Sequence, residues 1–144
     1  MWDVAGGTAA ELYEFDGHCD KIQAVAWQQG AGRLLATQAK DRTLRILDPR
    51  LGGGGRSGRS SVVAETASHQ GMKDSKVVWV DEQRVLTSGF GEDRARELIL
   101  RDTRNLSTPQ NVLSLDVSSG ILIPLYDPDT NMVFLTGKVI RLSP

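Results

Sequence analysis

One stretch of this 144-residue chain occurs nearly twice. Gly17-His18 leads into an apolar run at 21–28, a second run at 33–38, the turn Lys40-Asp41-Arg42, and a third run at 43–48 that ends in Asp. The second copy starts at His69 and passes through 75–80, 84–89 and 97–102, again closing on Asp. Self-similarity at a spacing of about 40–50 residues constrains the fold more than composition does. A repeat this short cannot bury its own faces and has to stack on its neighbours. The chain therefore reads as a scaffold of stacked units rather than a catalyst.

Within each copy the apolar spacing is that of strands. In 21–28, Ile22, Ala24 and Ala26 share one face while Val25 and Trp27 share the other. Both faces are partly apolar, as expected of the innermost strand of a stacked unit. Residues 33–38 and 43–47 form the next hairpin around 39–42, where Asp41 accepts backbone hydrogen bonds in a tight turn. In the second unit, strands are expected near 76–80, 85–88, 97–100 and 112–115, with the charged segment Gly91-Glu92-Asp93-Arg94-Ala95-Arg96 between its middle strands. A third unit starts at 121–126, turns at Asp127-Pro128-Asp129-Thr130-Asn131 and continues through 132–136, with 139–142 as a truncated third strand. Outer strands are expected at 11–15 and 62–66. Within the first unit, before its outer strand, 51–61 is glycine- and serine-rich and reads as a flexible loop kept solvated by Arg56 and Arg59. No segment keeps a helical period over three turns.

An early His, a closing Asp and the opening Trp2-Asp3 together resemble the WD40 repeat, in which Trp-Asp closes the third strand of a propeller blade. The fold class expected is all-β: a partial WD40 β-propeller of about two full four-stranded blades plus partial blades at both ends. The division expected is 1–15 as the remnant of a preceding blade with its outer strand, 16–66 as a blade carrying the Gly-rich loop 51–61, 67–116 as a second blade, and 117–144 as a truncated one. Propellers usually close with four to eight blades, so about three blades' worth of chain is expected to leave open edges that need further blades for ring closure. Alone, such a piece is expected to be marginal and to aggregate or pair with itself.

The formal charge of −1, with both signs mixed among the 24% charged residues, gives no bias toward nucleic acid, and no basic run suggests a membrane surface. Cys19 is the single cysteine, which excludes an internal disulfide, suits a reducing compartment and reads as a buried or idle thiol. No apolar run is long enough to span a bilayer, and the start lacks a basic-then-apolar leader, so a cytoplasmic location is expected. In WD40 repeats a hydrogen-bond network ties the blade together, and His18, Thr37 and Asp41 stand at the matching places. Leu47 holds the Trp slot and cannot donate, so this network is expected to be one member short. The same His, Thr and Asp suggest a hydrolase triad, but the expected arrangement, Asp41 orienting His18 and His18 bonding Thr37 inside a packed blade, leaves no substrate cavity.

No catalytic residue, cofactor or metal is expected. Asp127, Asp129 and Asn131 resemble the start of a calcium loop, yet position six is Met132 and position twelve Lys138, so they read as turn chemistry. Residues 52–55 lack the Gly-Lys-Ser/Thr ending of a phosphate loop. Arg42, Arg45, Arg50, Lys73, Lys76, Arg94 and Arg96 read as solvated surface, with an electropositive rim facing an acidic filament or an anionic head group as the alternative.

Two stretches go beyond the generic repeat. The run 115–130, containing Leu125-Tyr126-Asp127-Pro128-Asp129-Thr130, and then Leu135-Thr136-Gly137-Lys138 closely resemble a segment of the coronins. Leu86-Thr87-Ser88-Gly89-Phe90 and the run 97–106 are similar to the coronin blade that precedes it, as are 40–42 and 46–50. The resemblance spans about Asp16 to Lys138 in the coronin order. The loop after Phe90 and the loop 51–61 depart from the short-coronin pattern, and after Lys138 the coronin continuation is replaced by Val139-Ile140-Arg141-Leu142-Ser143-Pro144. The resemblance implies a seven-bladed propeller in the parent, a non-catalytic interaction scaffold, protein partners that include actin filaments, and a place at the cytoskeleton. It leans toward the long tandem-propeller type, which is also associated with Golgi vesicle traffic. A WD40 adaptor outside the actin system, such as a ubiquitin-ligase substrate receptor, would use the same blades.

Overall fold

The computed structural model describes residues 2–3, 5–6, 10–11, 15, 17–51 and 61–137. All regular elements among them are strands. β1 (Trp2–Asp3) pairs antiparallel with β2 (Ala10–Glu11). β3 (Ile22–Trp27), β4 (Leu35–Ala39), β5 (Thr43–Leu47) and β6 (Val62–Ala67) form a four-stranded antiparallel sheet in chain order. β7 (Lys76–Trp79), β8 (Arg84–Phe90), β9 (Arg96–Asp102) and β10 (Asn105–Ser114) repeat that sheet, and β11 (Leu122–Asp127) pairs with β12 (Met132–Gly137). The all-β, partial-propeller expectation holds. The described sheets do not close into a ring.

Small residues at the centre of the first sheet and large ones in the second explain how the two stack. Ala36, Leu44 and Ile46 pack against Val77, Trp79, Val85 and Leu106, with Ala24, Ala26 and Ala64 at the margin. Period-two alternation puts the even-numbered side of β3–β6 against the odd-numbered side of β7 and β8. The alanines leave room for Trp79, which is 1% exposed. Its indole N–H donates to the Ala26 carbonyl at 3.0 Å, so the largest core side chain also satisfies its one polar atom across the sheet boundary. On the opposite side of the first sheet, Val25 and Trp27 are exposed.

The fourth strand of the second sheet differs from the expectation. β10 begins at Asn105, directly after the turn that follows Asp102, rather than near 112. Its first half carries Ser107, Thr108 and Pro109, a composition that reads as loop. An edge strand tolerates a proline because one row of its backbone groups needs no ladder partner, and the pairing to β9 shifts register on either side of Pro109. The strand expected at 11–15 is described only at its start, in β2, because 12–14 lie outside the described residues. The glycine-rich 52–60, with Arg56 and Arg59, and the strand expected at 139–142 also lie outside them.

Two tight turns share a less common backbone. Arg42 between β4 and β5 and Arg94 between β8 and β9 have φ of 62° and 64°. Each follows an aspartate, Asp41 or Asp93, whose carboxylate accepts a backbone N–H two residues on, from Thr43 or Ala95.

Candidate functional site

His18, Thr37 and Asp41 come together on the outward side of the first sheet. His18 Nε2 lies 2.7 Å from Thr37 Oγ1, and Nδ1 lies 3.0 Å from Asp41 Oδ2. Asp41 also accepts the backbone N–H groups of Thr43 and Cys19. Burial opposes ionisation of Asp41, but the hydrogen bonds from His18, Thr43 and Cys19 outweigh it and hold the carboxyl below its ordinary range.

The network is not one member short, contrary to the expectation from Leu47. Arg45, on β5 opposite Thr37, turns its guanidinium back to the turn: Nη1 is 2.5 Å from His18 Nδ1 and 3.1 Å from Asp41 Oδ2, while Nε donates to Glu65 at 3.0 Å. A carboxylate only accepts, so Asp41 gathers His18, Arg45 and the two backbone amides around its oxygens.

The second sheet holds a parallel constellation that the sequence reading did not assemble. His69 Nδ1 donates to Glu97 Oε1 at 2.7 Å and Nε2 meets Thr87 Oγ1 at 3.0 Å. This set is more deeply buried because it faces the first sheet. His69 is 3% exposed and Thr87 0%. Gly89 is required beside it, since a Cβ there would lie 2.3 Å from His69 Cγ. The signal was available in part: Thr87 follows Thr37 by the repeat spacing, but Glu97 stands on a strand where Asp41 stands in a turn.

Arg101 occupies the position before Asp102 that Leu47 occupies before Asp48. It is 5% exposed and donates through Nη2 to the Ala67 carbonyl at 3.1 Å. Burial pushes its pKa down, against the charge of Glu97. The closing aspartates behave alike. Asp48 binds Arg50, and Asp102 binds Arg104, each through the side chain and the backbone N–H two residues on. Arg104 is the main cause that brings Asp102 down to about 2.

Asp127 is held in turn chemistry, accepting from Asp129 N at 3.1 Å and from the Thr130 hydroxyl at 2.6 Å, and Tyr126 donates to Asn131. Among the described residues no group of three His, Cys, Asp or Glu could hold a metal, and no helix is long and apolar enough to cross a membrane. The Cys19 thiol is exposed, not buried.

No protein-family model matches the chain. It is similar to the WD40 domain of Toxoplasma gondii coronin, with 33% identity and a TM-score of 0.74 over 83% of this chain and 30% of that one. A chain of the mitotic checkpoint complex (14% identity, TM-score 0.63, 88% of this chain and 33% of that one) shares the fold alone. So does a chain of the COPII outer coat vertex on membranes (19% identity, TM-score 0.66, 90% and 34%). The chain thus spans about a third of each of these three structures, 30%, 33% and 34% respectively. It has the WD40 β-propeller fold, and WD40 propellers generally serve as non-catalytic platforms for protein interaction. Among these relatives the coronin propeller shares sequence as well as fold.

Proposed function

We propose that this chain is a segment of a coronin propeller: a non-catalytic scaffold that binds protein partners, actin filaments among them, in the cytoplasm at the cytoskeleton. The observation that carries the reading is the 33% identity to a coronin WD40 domain over 83% of the chain. Residues 16–66 and 67–116 act as blades in this reading, and the tandem-propeller (coronin-7-like) type would extend the role to Golgi vesicle traffic. Within it, His18, Thr37 and Asp41 are structural ties. Their side chains bond to one another, and Thr37 is 3% exposed, which suits a clasp better than a nucleophile.

Co-sedimentation of the chain with F-actin, alongside mass spectrometry of the proteins it captures, tests the proposal. Saturable sedimentation with filaments is the expected result. Capture dominated by ubiquitin-ligase subunits, with no filament binding, would replace it with the adaptor reading. A hydrolytic activity lost in a folded His18→Ala variant would overturn the non-catalytic assignment.

A further inference from the structure

Of the seven basic residues read from the sequence as solvated surface, four are paired in the structure and Arg94 stands exposed in the β8–β9 turn. Arg45, Arg50 and Arg96 are paired with Asp41 and Glu65, Asp48, and Asp116, while Lys76 donates to the Gln23 carbonyl. The side chains of Lys40 and Arg42 have no such partner among the described residues. They stand with Lys73 around a cleft of about 60 Å³ between the two four-stranded sheets, on the side that carries the β4–β5 and β8–β9 turns. Met72 and Ser75 also line it, and no carboxylate does. Lys73 is held above the Phe90 ring, 4.9 Å from its centroid, and donates to the Ser119 carbonyl at 2.7 Å. The thioether of Met72, at 86% exposure, offers an adaptable apolar contact beside these charges.

We propose that this cleft docks an extended acidic protein segment, with its carboxylates against Lys40, Arg42 and Lys73 and an apolar side chain over Met72. The inference rests on the scaffold reading but not on any role at actin. A flat anionic membrane fits less well, because Asp20, Asp74, Glu92 and Asp93 are exposed in the neighbouring loops and would face it. Discrete cations interleaved with acids select a short, patterned partner instead.

The test is binding of a short fluorescein-labelled peptide of alternating glutamate and leucine to the 144-residue chain, immobilised at low density. The glutamine–leucine counterpart and phosphatidylcholine vesicles containing phosphatidylserine serve as comparisons. The glutamate peptide should bind, and more weakly as salt rises. A Lys40→Gln, Arg42→Asn double variant should bind it about tenfold more weakly, two rim charges each contributing about a threefold factor. Asn suits the turn, so the melting temperature of that variant should not fall. Arg33→Gln, in the β3–β4 turn at the opposite end of the strands, should bind like the parent. Equal binding by the double variant, equal binding of the glutamine peptide, or capture of vesicles without peptide would overturn the proposal. Partner capture and F-actin sedimentation by the same double variant report on the scaffold reading separately, since that reading survives if they persist.

Discussion

The hydroxyl of Thr87 sits between His69 Nε2 at 3.0 Å and the Ile99 carbonyl at 3.3 Å, with no access to solvent. Thr87→Val keeps the side-chain shape but leaves a buried ring nitrogen without its partner, which costs about 1–3 kcal/mol. Thr87→Ser restores the hydroxyl and should recover most of the loss, read as the urea midpoint. A loss equal in both variants would show that packing, and not the hydrogen bond, is what matters there. A second prediction at this scale concerns acid. Asp102 falls from 3.8 in its ordinary state to about 2 in the fold, held mainly by Arg104, and Asp48 is lowered the same way by Arg50. Above the ordinary value the carboxylates are ionised in both folded and unfolded chain, and their contribution to stability is complete. Between about pH 4 and about pH 2 the unfolded chain binds the protons first, so stability falls as pH falls. The urea midpoint should drop across that window, and by less in an Arg104→Gln variant. These residues were unequally legible. His18, Thr37 and Asp41 are the residue types a blade network uses, at repeat spacing, whereas Arg45 and Glu97 stand on strands, where a charged side chain reads as solvent-facing. Only the fold shows that each turns back toward a histidine.

At the scale of the strands, Trp79 and Gly89 hold the second sheet to its neighbours in different ways. Trp79 fills the space that Ala24, Ala26 and Ala36 leave and bonds Ala26, so Trp79→Phe should cost about 1–2 kcal/mol from the lost indole hydrogen bond and lost volume. Trp79→Ala removes the side chain outright and should cost about 3–5 kcal/mol. Gly89→Ala would drive a Cβ into the His69 ring and should unfasten the same network that Thr87→Val weakens. Because the two act on one constellation, the Gly89→Ala, Thr87→Val double variant should be destabilised by less than the sum of the two changes, as a double-mutant cycle would show. β3, β4 and β11 were readable as short apolar runs bounded by turn residues at the repeat spacing, although each carries apolar side chains on both faces. The first half of β10 was not, because an edge strand buries little and its pairing comes from β9 rather than from its own side chains.

For the molecule as a whole, the stacking that buries Trp79 at one sheet boundary is missing at two other faces. Val25 and Trp27 lie exposed on the odd-numbered side of the first sheet, where the equivalent side of the second is core. Met132, Val133, Phe134 and Leu135 are exposed along β12. The paired backbone of β11 and β12 also leaves one edge of β12 without a strand among the described residues. Apolar patches with open strand edges associate, because burying them removes apolar area from water at about 25 cal/mol per Å² and pairs free backbone groups. The 144 residues on their own should therefore form dimers or larger species at micromolar concentration and melt broadly. Val25→Lys with Phe134→Lys should shift the population toward monomer without disturbing the core between the two four-stranded sheets. Multi-angle light scattering and circular dichroism decide the matter. A monomeric parent with a sharp transition would mean that these faces are covered by the chain itself, and the two lysine substitutions would then destabilise it instead of solubilising it.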